Sequence, residues 1–241
     1  MGIMTLNILY VDNHILAVEK PAGMLSQGDK SNTGSLLDLA KEYIKETYNK
    51  RGNVFLGLVH RLDKPVSGIM IFARTSKAAK RLHSEFKNKT VKKLYVALVK
   101  NIDYESDKWV ELENEIQIEN GFPKIAKKKS PTTKQAKLRY SIISSDSRHS
   151  LLLIDLITGR KHQIRMQLSE IGHPITGDKK YGNPENVIEN SICLHSYYIS
   201  IKHPTKDSTI ELFSDIPERI SKIFTINNTT ITGIKRKIKE L

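Results

Sequence analysis

The chain of 241 residues has one cysteine, Cys193, so it cannot close an internal disulfide. This excludes the disulfide-stapled secreted class and suits a reducing cytoplasm. No apolar run approaches the roughly 20 residues that cross a bilayer. The opening Met1-Gly2-Ile3-Met4-Thr5-Leu6 has neither a basic start nor an apolar signal core, and Leu6 stands where a myristoylation signal needs Ser or Thr. No membrane association is expected. Cofactor motifs are missing as well. The nearest approach to a phosphate loop, Gly172 to Gly177, continues with Asp178 rather than Lys. There is no H-E-x-x-H, no G-x-S-x-G and no cysteine pair at metal spacing, so neither cofactor nor metal is expected. Acidic residues are also short: 26 Asp and Glu face 39 Lys and Arg, a net charge of +13. Such a surplus favours a polyanionic partner through phosphate contacts and counterion release.

Composition is otherwise that of a soluble globular protein, 39% hydrophobic and 27% charged, with room for one domain and a short appendage. Residues 124 to 139 hold seven cations and no acid, whereas Asp103 to Glu119 is mostly acidic. A cluster of one sign is what an RNA-facing surface needs, although Lys127 to Lys129 alone read equally well as a solvated loop. Ile8 to Val11 and Ile15 to Glu19 flank Asp12-Asn13 as a hairpin. Ser35 caps a helix running to about Tyr48, and Thr75 or Ser76 caps a second with Ala79, Leu82 and Phe86 inward. Ile69 to Ala73, Leu94 to Val99, Ser150 to Ile157 and Cys193 to Ile201 read as strands, and Thr158 caps a helix from Arg160 to Ile171. Many strands with interspersed helices indicate an α+β fold. The catalytic-size domain spans 1–221, and 222–241 reads as a polar, basic, loosely docked tail.

Three patches stand out within this frame. His60-Arg61-Leu62-Asp63-Lys64-Pro65-Val66-Ser67-Gly68 sets one carboxylate between two cations in a loop ahead of a buried strand. Nearby positive charge favours the ionised acid, and loops on rigid elements are where reactive groups sit. Lys93-Leu94-Tyr95-Val96-Ala97-Leu98-Val99 alternates, with Leu94 on one face and Tyr95 on the other. Gly159-Arg160-Lys161-His162-Gln163-Ile164-Arg165 follows an apolar run. An Arg in a helix's first turn opposes the macrodipole by roughly 0.3–1 kcal/mol, which makes Arg160 suggestive of a phosphate contact. In this order the three patches resemble the RluA family of RNA pseudouridine synthases. The likeness runs from about Ile8 to Pro204. It takes in Lys20-Pro21-Ala22-Gly23, Gly172-His173-Pro174-Ile175-Thr176-Gly177-Asp178, Leu194-His195 and His203-Pro204.

The resemblance implies a pseudouridine synthase fold: a mixed, mostly antiparallel central sheet, flanking helices and a central cleft. The first strand begins near residue 6, which resembles the short branch without an N-terminal S4-type domain. The implied reaction breaks the N1–C1′ bond of a uridine, rotates the uracil and rejoins it through C5. Asp63 is implied as the catalytic carboxylate, either attacking C1′ or removing a proton from C2′. Arg165 is implied as its partner, Tyr95 as the ring that meets the uracil, and Leu194 as a wall of the base pocket. Arg61 is implied to enter the RNA when the target base flips out, a step costing roughly a few kcal/mol. His60, His162 and His195 are expected to shape and hydrogen-bond the site, and Arg160 to meet RNA phosphate. One departure is Val66, where the family more often has Thr. The expected partner is tRNA, ribosomal RNA or both; no protein partner is implied, and the chain is expected to be a cytoplasmic monomer. A non-catalytic RNA-binding or chaperone protein on the same fold is the alternative. Glycoside hydrolysis, which usually needs a second carboxylate, is a third reading.

Overall fold

The computed structural model describes residues 6–28, 34–102, 108–119, 121–182 and 190–241. The opening Met1 to Thr5 and Asp103 at the head of the acidic stretch lie outside them. The strands are β1 (Ile8–Val11), β2 (Ile15–Lys20), β3 (Gly57–Leu58), β4 (Ser67–Ala73), β5 (Lys92–Lys100), β6 (Val110–Glu119), β7 (Phe122–Ile125), β8 (Lys134–Ser145), β9 (His149–Leu156), β10 (Leu194–Lys202) and β11 (Thr209–Phe213). The helices are α1 (Leu36–Thr47), α2 (Ser76–Asn88), α3 (Gln163–Glu170), α4 (Glu218–Ser221) and α5 (Asn228–Lys239). The fold is α+β, and its sheet structure is mixed and largely antiparallel. Among the described residues no helix is long and apolar enough to cross a membrane. The chain divides into two compact units: Met1–Lys92 with Ser196–Ser214, and Lys93–His195 with Asp215–Leu241.

In the first unit, Asp12 builds the β1–β2 hairpin. Its Oδ1 accepts the backbone N–H of His14 and of Ile15, both at 2.8 Å, so one side chain replaces two turn hydrogen bonds. Burial pushes the Asp12 carboxyl up, but hydrogen bonds from His203, from those two N–H groups and from Tyr10 outweigh it and hold the group below the ordinary carboxylate range. Strand β4 pairs antiparallel with β2, and all seven of its residues are buried. This explains its unbroken apolar run, since a strand covered on both faces has no polar side to show. Gly68 is required where β4 meets β10. It sits at φ +114°, and an added Cβ would lie 2.3 Å from the Ser196 carbonyl oxygen. Ser35 and Asp38 cap α1 reciprocally, and Thr75 caps α2 by accepting the Ala78 N–H at 3.1 Å. Leu82, Ile69, Ile71, Ile199 and Ile201 meet in one core, to which Phe86 adds a partly buried ring.

In the second unit, β9 pairs with both β5 and β8, and β8 pairs with β6, which pairs with β7. The charge blocks of the sequence become cross-strand partners here. Lys137 on β8 meets Glu111 at 2.6 Å and Glu113 at 3.8 Å on β6, Lys124 meets Glu119 at 3.0 Å, and Arg139 meets Asp155 at 3.0 Å. The Glu111 carboxylate raises the Lys137 ammonium above its ordinary value. The strand part of the 124–139 stretch is therefore not single-signed, because the antiparallel register places Glu111 and Glu113 opposite Arg139 and Lys137, whereas Lys127, Lys128, Lys129 and Lys134 remain exposed. The end of the chain also differs from expectation. Instead of a loose tail, residues 228–239 form α5, capped by Asn227, with Thr230, Ile234 and Lys237 buried. The hidden positions recur every three or four residues, so one face docks, and Gly233 lets the helix lie close to Ile143 of β8. Trp109 donates from Nε1 to Glu240 at 3.1 Å and fastens the last turn.

Candidate active site

The first unit carries His60, Arg61 and Asp63 on the loop between β3 and β4. Lys20 holds this loop from beneath. It ends β2, is fully buried, and its ammonium donates to the carbonyls of Pro21 at 2.9 Å, Met24 at 2.8 Å and Lys64 at 3.1 Å. Three acceptors match the three donors of an ammonium, which is how a desolvated cation is tolerated. Gly23, at φ 84°, donates its N–H to the same Lys64 carbonyl at 2.8 Å. Ser26 clamps the other neighbour: its hydroxyl donates to the Leu62 carbonyl at 2.7 Å and accepts the Leu62 N–H at 3.1 Å. The residues on either side of Asp63 are thus fixed through their main chain, and the Val66 N–H closes a turn onto the Asp63 carbonyl at 3.0 Å. Asp63 itself is half-buried. Val66 is buried.

Imidazole His60 is built into the scaffold. Its Nε2 accepts the Ile71 N–H at 2.9 Å, so that nitrogen carries no proton, and the ring stacks on Phe86 of α2 with centroids 4.7 Å apart. Arg61 and Lys64 are exposed, and Arg61 makes no hydrogen bond or ion pair with any described residue. A guanidinium so placed is available to a ligand.

The second unit carries Tyr95, Arg160, His162, Arg165 and Leu194. Tyr95 lies on β5 opposite Ile154 of β9 and is 7% exposed; its neighbours on the same face, Ala97 and Val99, are fully buried. Arg165 is 5% exposed on α3 and makes a fork-to-fork pair with Asp178, Nε to Oδ2 at 2.6 Å and Nη2 to Oδ1 at 2.8 Å. Its guanidinium also lies over the Tyr181 ring, 5.0 Å from the centroid. Tyr181 shares a hydrogen bond with Nδ1 of His162 at 2.8 Å. Arg165 and His162 are thus joined through Tyr181, and Arg165 is oriented by Asp178. Leu194 is buried at the start of β10, where the Arg219 guanidinium donates to the carbonyls of Ile192 and Leu194 at 2.9 and 3.0 Å.

Helix α3 starts later than its sequence suggests. His162, at φ 55°, is the N-cap position and makes no capping bond. Thr158 does not cap; its hydroxyl donates to Gln163 Oε1 at 2.7 Å and accepts the Lys137 N–H at 2.8 Å. Arg160 consequently precedes the helix, and its Nε donates to the Gln135 carbonyl at 3.1 Å. The macrodipole penalty inferred for it does not arise. Sequence reading assigned no role to Lys20, Ser26, Asp178, Tyr181 or Arg219. Of these Lys20 carried a signal, as a cation continuing an apolar strand into a Pro-Ala-Gly turn, and Asp178 another, as the end of the Gly172–Asp178 motif.

A model of the RNA pseudouridylate synthase family matches residues 14–170. The chain belongs to this family. The matched span contains Lys20, His60, Arg61, Asp63, Tyr95, Arg160, His162 and Arg165, whereas Asp178 and Leu194 lie beyond it. Dual-specificity RNA pseudouridine synthase RluA of Haemophilus influenzae is 32% identical over 85% of this chain and 90% of its own length. For tRNA pseudouridine synthase C of Haemophilus ducreyi the figures are 30%, 92% and 95%. Ribosomal large subunit pseudouridine synthase D of Neisseria meningitidis is also 30% identical, over 92% of this chain, but the chain spans only 61% of that protein. Among solved structures, human RNA pseudouridylate synthase domain containing 4 shares the fold, with a TM-score of 0.73 over 95% of this chain and 93% of that one at 21% identity.

Proposed function

We propose that this chain is an active RNA pseudouridine synthase that isomerises uridines in tRNA, ribosomal RNA or both. The observation that carries the reading is Asp63: a half-buried carboxylate in the family's H-R-L-D loop, with both flanking residues clamped by Lys20 and Ser26. Positional precision of this kind serves a group that must meet one atom of a flipped nucleotide. Asp63 attacks C1′ or removes the C2′ proton; both routes release uracil N1 and allow C5 to bond to C1′. Tyr95 meets the uracil and assists loss of the C5 proton. Arg165, oriented by Asp178, is a catalytic residue of the same reaction, and Leu194 forms part of the base pocket.

Arg61 takes the place of the extruded base, where a guanidinium can stack and contact phosphate at once. His60, Arg160 and His162 shape the substrate path. The reaction moves neither electrons nor phosphate, so the reading needs no cofactor, metal, second chain or membrane. The cytoplasm, where these RNAs and a reduced Cys193 coexist, is the compartment that fits it. RNA carrying tritium at uracil C5 tests the proposal: wild type releases the label, and Asp63→Ala does not. Tight RNA binding without release overturns it in favour of a binding protein, and free uracil overturns it in favour of hydrolysis.

A further inference from the structure

If the chain acts on RNA, its surplus positive charge must meet the backbone somewhere, and the two most basic stretches differ in how free that charge is. In the 124–139 stretch Lys127, Lys128, Lys129 and Lys134 have no ion pair with a described residue, but Lys124, Lys137 and Arg139 already hold carboxylates of the protein. A phosphate can recruit them only by breaking those pairs, which forfeits much of the gain from counterion release. The other stretch is α2 and its exit. Residues 76 to 92 hold Lys77, Lys80, Arg81, Lys87, Lys89 and Lys92 against one acid, Glu85. The inward face of α2 is Ala78, Leu82 and Phe86. At 100° per residue Lys77, Lys80 and Lys87 project on the opposite side, and all three are exposed. None of the three has an ion pair with a described residue.

The helix tolerates Lys77 against its own interest. Its first turn has no acid and holds Lys77, where a positive charge opposes the macrodipole. Beside this face runs a groove of about 430 Å³ between α2 and residues 202–207, but Glu85 and Asp207 line it and its lysines are already held, Lys202 by Asp207 at 3.4 Å and Lys206 by Asp12 at 3.5 Å, so the unpaired charge lies on the helix face and not in the groove. The inner side of α2 reaches the catalytic loop, because Phe86 stacks on His60. The helix therefore joins an unpaired basic face to the loop that bears Arg61 and Asp63.

We propose that the outer face of α2 is a docking surface for the phosphate backbone of substrate RNA outside the target nucleotide. This rests on the synthase reading and adds the place where affinity is generated. The test compares Lys77→Gln/Lys80→Gln/Lys87→Gln with a control, Lys124→Gln/Lys137→Gln, using unmodified bulk tRNA and ribosomal RNA in anisotropy titrations over a salt series. Losing three phosphate contacts lowers the slope of log affinity against log salt by roughly 2–3, so between 50 and 200 mM salt wild type loses roughly 20- to 40-fold more affinity than the α2 variant. The control keeps the wild-type slope, and at saturating RNA the α2 variant releases C5 tritium at the wild-type rate. Equal slopes for wild type and the α2 variant, or an equal loss in the control, overturn the docking surface while leaving the synthase reading intact. A wild type that neither binds these RNAs nor releases tritium overturns both.

Discussion

Replacing Lys20 with methionine keeps the length of the side chain and removes its charge. The Lys64 carbonyl would still accept the Gly23 N–H at 2.8 Å. The Pro21 and Met24 carbonyls, now 2.9 and 2.8 Å from the ammonium, would lose that donor. An orphaned buried polar group costs about 1–3 kcal/mol, and relief from burying a cation offsets part of the sum, which leaves a net loss of about 2–4 kcal/mol. For a chain of this size that lowers the melting temperature by about 4–16 °C. The effect on rate should exceed the effect on binding. Lys64 follows Asp63 directly, and a displacement of about 1 Å at a reacting group can cost about 100-fold. Exposed Arg61 is untouched by the change. The assay pairs a circular-dichroism melt with single-turnover tritium release at a temperature where the variant remains folded, and with RNA titration. A variant that melts with the wild type and keeps its rate would refute the clamp.

Two further perturbations follow from the second unit. Asp178→Asn takes from the buried Arg165 guanidinium the carboxylate it meets fork to fork. Breaking one side of such a pair costs about 3–5 kcal/mol, so the melting temperature should drop by about 6–20 °C; an unchanged melt would mean that Arg165 is held by other groups. His195 is fully buried, and burial, helped by the Arg219 charge, pushes its pKa down to about 3. Below its ordinary value of 6.5 the unfolded chain gains a proton that the folded chain refuses, so this residue subtracts stability as pH falls from 6.5 towards 3. The loss is about 2 kcal/mol by pH 5. Urea midpoints of wild type and His195→Gln should converge between pH 7 and pH 5, and a constant gap would contradict the assignment.

The parts legible in sequence were those with local causes. Asp12 turns a hairpin, Ser35 and Thr75 cap helices, and β4 reads as a buried strand, because each signal is contained within a few residues. The H-R-L-D loop was legible as a motif, but its support was not. Lys20 lies 44 positions from the carbonyl it holds, and nothing in the interval announces the contact. Strands β6 and β8 do alternate, yet their charges drew the eye to blocks of sign, and only the register revealed that Glu111 faces Arg139 and Glu113 faces Lys137. The late start of α3 was hidden for a similar reason: Gln163 takes the Thr158 hydroxyl and the Arg160 N–H, so an apparent cap serves as a brace. At the tail, a polar and basic composition concealed a periodicity of three buried positions.

The first unit is discontinuous along the chain. Residues up to 92 lie in it, the next 103 belong to the other unit, and Ser196–Ser214 returns to finish it. During synthesis the H-R-L-D loop and β4 emerge early, but β10, whose main chain Gly68 leaves room for, and His203, which locks onto Asp12 at 2.7 Å, arrive only after all of β5 to α3 has been made. A nascent chain stalled before residue 196 therefore holds the acidic side chain of its motif on an unfinished scaffold. The first unit closes only once residue 214 has left the ribosome.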